Sequence, residues 1–188
     1  MNTLQRGKPI GWDEVEHLFA EFRSTVFRLE TLQRYEAPTE KAAFQNFLAG
    51  DIPGSPDLDD WHAELREGIR RGRSYRRVHV VTEPLTDYVR FECAWAYRSN
   101  AAAGEDIRIL AVEEGRWPEG VPRLDYWLFD SRLMLVMNYS DGGVLESTEL
   151  VDDPQTVAAA EAWRDRALRL SVPYTEYEAR FDAFMRPR

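Results

Sequence analysis

One cysteine, three histidines and a deficit of basic side chains each remove a class of explanation for this chain. A lone Cys93 can neither close an internal disulfide nor build a zinc ribbon, which agrees with a reducing compartment. His17, His62 and His79 show no metal-ligand spacing such as two histidines four apart, so neither a metal nor a cofactor is expected. Lysine and arginine number 24 against 33 acidic residues, for a formal net charge of -9 at pH 7. That balance opposes long-range attraction to phosphate backbones and favours neutral or basic partners. No run of apolar residues approaches the roughly 20 needed to cross a bilayer, and the polar stretch Met1 to Ile10 makes no secretory core. The expected location is the cytoplasm, with no membrane partner. A G-x-S-x-G elbow, a phosphate-binding loop and a dinucleotide fingerprint are also missing, so the common acyl-transfer and nucleotide chemistries lose support.

What is present is a globular balance, 44% apolar and 30% charged over 188 residues, enough for one core and short for two. One domain, 1–188, is expected, with a helical N-terminal third (12–70), a mixed-sheet region (75–151) and C-terminal helices (153–184). Apolar residues at Val15, Leu18, Phe19, Phe22, Val26 and Leu29 follow three-and-four spacing and predict a helix from Trp12 through Leu32. A second helix is expected from Glu40 to Leu48, stopped at Gly50, with a loop at Pro53, Gly54 and Pro56. A third runs from Asp59 or Asp60 to Ile69.

After Gly72 the β-branched Val78, Val80 and Val81 predict a strand, Pro84 to Ala103 a largely buried helix, and Ile107 to Val112 a second strand. Together they make a β-α-β unit with parallel strands. Strands at Tyr126 to Phe129, Leu133 to Tyr139 and Val144 to Leu150, turning at Asp130-Ser131-Arg132 and Asp141-Gly142-Gly143, form an antiparallel meander. Asp153-Pro154 opens a helix to Leu170, and a last one is placed at Tyr174 to Phe184. The fold class is therefore α+β, a mixed sheet with one parallel βαβ unit and an antiparallel meander, flanked by terminal helices.

Chemistry can sit in two places. Arg70, Arg71, Arg73, Arg76 and Arg77 form a basic run, of which Arg71 and Arg73 are candidates for holding an anion, although basic residues after a helix also complement its dipole. No recognisable nucleic-acid motif accompanies the run, so direct nucleic-acid binding is not expected. The crossover helix carries Asp87, Tyr88, Arg90, Glu92, Arg98 and Asn100 in an apolar setting. A sequestered carboxyl there would have its protonation shifted, as acid-base chemistry requires, yet such groups more often complete structural hydrogen bonds. Cys93 and the tryptophans are best assigned to the core.

Several segments resemble an actinobacterial domain family of unknown function: Phe27-Arg28-Leu29-Glu30-Thr31, Phe47-Leu48-Ala49-Gly50 and Val81-Thr82-Glu83-Pro84-Leu85-Thr86-Asp87-Tyr88, with Ala103-Gly104-Glu105-Asp106-Ile107-Arg108, Asp125-Tyr126-Trp127-Leu128-Phe129-Asp130 and Trp163-Arg164-Asp165. Members are often encoded near helix-turn-helix regulators, so the resemblance implies an accessory role in regulation and brings no catalytic residue. The order of elements is also similar to half of a phospholipase D-like domain. Active members of that superfamily place H-x-K-x4-D where this chain has Arg123, Asp125 and Asp130; histidine and lysine are both absent, so that mechanism is not expected.

The reading is a non-catalytic binding module whose partner is a small molecule or a helix-turn-helix regulator. Its pocket is expected near the C-terminal ends of the parallel strands, with Tyr88, Arg90, Glu92, Arg108 and Trp127 as ligand-binding residues. The alternative is a small-molecule enzyme of secondary metabolism using Glu92 or Asp87 as a base.

Overall fold

The computed structural model describes residues 7–51 and 58–181. The first amphipathic stretch is shorter than its spacing predicts. Helix α1 covers Trp12–Glu21, Phe22 already has extended backbone, and Thr25–Glu30 is a strand, β2. The expected helix over 12–32 is thus corrected. Val26 and Leu29 fit a helical face by coincidence of phase, but β2 lies inside the sheet and is buried on both faces, where β-branched and aromatic residues pack well. The N-terminal third is for the same reason not wholly helical.

The remaining elements lie close to their predicted places. They are α2 (Lys41–Leu48), α3 (Asp59–Arg70), β3 (Ser74–Glu83), α4 (Asp87–Glu92), a π-helical turn (Cys93–Tyr97), α5 (Arg98–Ala103) and β4 (Asp106–Glu113). The loop placed at Pro53, Gly54 and Pro56 falls outside the described residues. Thr86 caps α4 by accepting from the Val89 amide, and Gly104, at a φ of 110°, closes α5 in the left-handed region that a side chain disfavours. The meander follows as β5 (Asp125–Phe129), β6 (Leu133–Tyr139) and β7 (Leu145–Val151). Helix α6 (Pro154–Leu170) begins at the Asp153 cap, and a short β8 (Val172–Pro173) leads into α7 (Tyr174–Phe181). The end of α7 predicted beyond Phe181 lies outside the described residues.

With a two-residue β1 (Lys8–Pro9), the strands form one mixed sheet ordered β1-β7-β6-β5-β2-β3-β4-β8. β3 and β4 are parallel, as the β-α-β reading requires, and β2 adds a second parallel pair with β3. The meander joins this parallel centre antiparallel, through β5 against β2.

Side-chain alternation gives the two faces different work. Phe27, Leu29, Val78, Val80, Tyr126 and Leu128 face α6 and form a dry core with Val157, Ala160 and Ala167. The opposite face is covered by α1 to α5 and α7, through clusters around Val89, Phe91, Trp95 and Tyr174 and around Val15, Phe22 and Leu65. Between those two clusters the strands turn charged residues inward.

Candidate functional site

Central strands that are covered on both faces normally show apolar residues inside, so a charge turned inward from one needs a partner. β2 turns Arg28 and Glu30 under the helices, β3 turns Arg77 and His79, and β5 starts with Asp125; all five are almost completely buried. Arg77 Nη1 donates to Glu30 at 3.0 Å and its Nε to Glu105 at 2.9 Å. Arg28 Nη2 reaches Asp125 at 3.4 Å and Tyr139 at 3.2 Å, while its guanidinium lies 5.1 Å from the centre of the Trp127 ring. Arg28 Nε stands 3.5 Å from Glu30, near enough for charge attraction but without a hydrogen bond; its Nε and Nη1 have no hydrogen-bond partner.

Burial pushes the Glu30 carboxyl up, but Arg77 and Arg28 outweigh it and hold Glu30 at about 2. The His79 imidazole is pushed down by desolvation, against the pull of Glu30. Its Nε2 stands 2.7 Å from the Leu32 carbonyl, which can only accept, so Nε2 carries the proton. Its Nδ1 stands 2.8 Å from the Tyr97 hydroxyl, which also lies 2.9 Å from Glu30. One phenolic proton therefore serves two acceptors. The π-helical turn is what presents Tyr97 to this pair, in line with the tendency of such turns to occur at functional sites.

The network has an outlet at the C-terminal end of β2. Asp125 accepts from the Thr31 amide at 2.9 Å and from the Tyr35 hydroxyl. Tyr35 then forms a wall of an open cavity of about 440 Å³, with Phe44, Tyr88 and Glu40 as further walls and Arg34, Glu36 and Lys41 around it. The Tyr88 ring centre is 6.0 Å from that of Tyr35 and 5.6 Å from that of Phe44. The Tyr88 hydroxyl donates to Glu40 at 2.7 Å. Behind it lies Glu92, 6% exposed, whose Oε1 has no partner. Desolvation first, then Glu40 and Glu30, push the Glu92 carboxyl well up, while Arg77 and Tyr88 pull the other way. Glu40 is pushed up as well, chiefly by burial.

Of the five residues expected to bind a ligand, the structure brings Tyr88 and Glu92 together. Trp127 lies under Arg28 on the same side of the sheet. Arg90 is buried and spends its Nη1 on Asp87 at 3.3 Å, and Asp87 is itself largely exposed. Arg108 projects from the α6 side of β4 and binds Ser171 through its hydroxyl at 3.1 Å and its carbonyl at 2.9 Å, so it is not part of this cavity. In the basic run, Arg70 and Arg71 both pair with Glu67, Arg73 with Glu64, and Arg76 with Asp106. Arg71 and Arg73 thus sit beside carboxylates. A second cavity of about 400 Å³ lies at the ends of β3 and β4, where Arg123 stacks 4.3 Å over Trp117. Asp130 accepts from the amides of Arg23, Ser24 and Thr25 and fixes the start of β2. Among the described residues, no cluster of three or more His, Cys, Asp and Glu could hold a metal ion, and no helix is long and apolar enough to cross a membrane.

Sequence reasoning missed Arg28, Glu30, Tyr35, Glu40, Tyr97 and Asp125 as site residues and placed His79 and Arg77 elsewhere. The available signal was charge alternating with apolar residues in Val26-Phe27-Arg28-Leu29-Glu30, visible only once that segment is taken as a strand.

Fold and site together define an α+β protein whose mixed sheet buries an ionic network beneath an aromatic-walled cavity. Residues 13–179 match the model of a family described as a domain of unknown function, DUF6879, and the chain belongs to that family. No curated protein matches it. Among solved structures it is similar to TrmBL2, an archaeal chromatin protein described as showing a novel mode of DNA binding, at 9% identity and a TM-score of 0.47. It is also similar to phosphatidylserine synthase from Haemophilus influenzae Rd KW20, at 12% identity and a TM-score of 0.44. Each likeness covers 90% of this chain but only 53% and 42% of those structures, so the chain spans about half their length. Likenesses this distant carry neither protein's activity to this one.

Proposed function

We propose that this protein is a non-catalytic small-molecule-binding module whose ligand sits in the cavity walled by Tyr35, Phe44, Tyr88 and Glu40. The observation that carries the reading is the seating of that cavity on a buried network with unmet hydrogen-bonding capacity, at Arg28 and at Glu92. Buried polar atoms without partners are costly, and a site that retains them is rigid, polar and ready for a guest or for water. The cavity lies beside the C-terminal ends of parallel strands, where open α/β sheets commonly bind ligands. An accessory role beside a helix-turn-helix regulator in an actinobacterial cytoplasm, as the family resemblance implies, would then be exercised through ligand occupancy.

The test is calorimetric binding of a fractionated metabolite extract and its purified components to wild type and to Tyr88→Ala. A binding component that loses about tenfold or more in affinity to the variant supports the site, since the Tyr88 ring is a wall of the cavity and an aromatic contact contributes roughly 1 kcal/mol beyond its buried area. Undiminished affinity in a folded Tyr88→Ala rules this cavity out. The second reading, an enzyme, draws on one observation: a carboxyl pushed far up, Glu92, beside a second one, Glu40. Turnover of a bound metabolite that disappears in a folded Glu92→Gln variant would favour it. Asp87, largely exposed and paired with Arg90, is the weaker candidate base.

A further inference from the structure

The formal charges around the cavity do not balance. Arg28 and Arg77 supply two buried guanidinium groups, against buried carboxyls at Glu30, Glu105 and Asp125. Glu40 and Glu92 add two more carboxyl groups at and just behind the cavity wall, where Glu40 accepts from the Tyr88 hydroxyl and Glu92 keeps an oxygen without a hydrogen bond. Of the two cations at the mouth, Arg34 is paired with Glu36, and Lys41 is exposed on the first turn of α2. Five carboxyl groups share two buried arginines, with an oxygen unpartnered at Glu92 and at Glu105, and a cation bound beside Glu40 would favour the ionised form that burial disfavours at Glu40 and Glu92.

The walls have the matching shape. Tyr35, Phe44 and Tyr88 line the cavity as a packed group, with Tyr88 in the middle, tilted at 57° to Tyr35 and edge-on at 71° to Phe44, and both phenols donate to carboxylates, Tyr35 to Asp125 and Tyr88 to Glu40. A phenol that donates to a carboxylate becomes more electron-rich, which strengthens the attraction of its ring face for a cation. Aromatic faces plus one carboxylate are the recognition chemistry of ammonium groups.

Resting on the reading of this cavity as a ligand site, we propose that it takes an organic ammonium ion, with the charged nitrogen against Glu40 and on the ring surface that Tyr35, Phe44 and Tyr88 turn to the cavity. The cavity's size, about 440 Å³, suits a ligand that carries further atoms toward the mouth between Arg34 and Lys41.

The probes are tetramethylammonium chloride, n-butylammonium chloride, sodium butyrate and n-butanol, titrated into the nitrogen-15-labelled full chain at pH 7 while backbone amide shifts are followed. Both cations are expected to give saturable shifts at Tyr35, Phe44 and Tyr88. Their binding should weaken about tenfold or more in Glu40→Gln and strengthen in Lys41→Met, which removes a competing positive charge. Phe44→Leu keeps the charge and removes a ring, so tetramethylammonium should lose more than butylammonium; this variant decides the matter should Glu40→Gln not fold. Saturation by butyrate or butanol with the cations silent overturns the ammonium assignment and leaves the cavity standing as a ligand site. Silence from all four probes overturns both.

Discussion

Two glutamates that both feel the charge of Arg77 illustrate how position sets protonation. Glu30 is held at about 2 because Arg77 and Arg28 more than offset its burial, whereas Glu92 has Tyr88 and Glu40 for neighbours and is pushed well up. Their consequences for stability have opposite sign. An acid whose folded value lies below its unfolded one binds fewer protons when folded, so Glu30 contributes stability that is complete above about 4.5 and is lost as pH falls toward 2. At about 1.4 kcal/mol per pH unit this is on the order of 3 kcal/mol. Glu92 binds more protons when folded, so the native state is penalised progressively as pH rises above 4.5. The groups facing it, Glu40 from the start of α2, Glu30 from β2, Arg77 from β3 and Tyr88 from α4, do not reverse that sign. Glu92→Gln keeps the shape and cannot ionise. Its urea-unfolding free energy, followed from pH 5 to pH 8, should rise relative to wild type with increasing pH. A constant difference across that range would mean that Glu92 ionises normally in the folded protein.

At the scale of elements, the segments whose pattern had a single interpretation were legible: α2, α3, the β3-α4-α5-β4 unit, the meander and α6. β2 was not. Its Val26 and Leu29 continue the phase of Val15, Leu18 and Phe22, and burial on both faces, a tertiary fact, is what makes the segment a strand. The candidate site was legible to the same degree: Tyr88 and Glu92 sit on the helix that could be read, while Arg28, Glu30 and Asp125 depend on β2 pairing with β5 about a hundred residues away. The junction of α3 with β3 was equally hidden. Gly68 packs so closely on Tyr75 that a Cβ would meet the ring at 2.7 Å and its hydroxyl at 2.0 Å, and that hydroxyl donates to Glu64. Alanine favours a helix interior over glycine by about 1 kcal/mol, yet overpacking a tight contact costs roughly 1–3 kcal/mol. Because Tyr75 is wedged between Phe22 and Trp61, the clash should win. Gly68→Ala should lower the unfolding midpoint in urea; a midpoint raised by the substitution would show that the ring yields freely.

The whole molecule carries a net charge of -9, and two electrostatic effects with opposite salt dependence follow from it. Exposed pairs such as Arg70 and Arg71 with Glu67, Arg116 with Glu113 and Arg180 with Glu176 are attractive and are weakened by screening. Self-repulsion among the surplus acids opposes the compact state, and screening relieves it. Exposed pairs generally contribute little, because water screens them and both side chains give up rotamer freedom. The buried network of Arg28, Arg77, Glu30 and Asp125 is out of reach of mobile ions and should respond to neither. Relief of repulsion should therefore dominate, and at pH 7 the thermal midpoint should rise as salt increases from about 10 mM to about 150 mM, a range over which the screening length shrinks from about 30 Å to about 8 Å. Near pH 4.9, where the net charge approaches zero, the same salt step should leave the midpoint nearly unchanged. A midpoint that falls with salt at pH 7 would mean that surface pairing, not the acidic surplus, governs how this fold responds to its ionic surroundings.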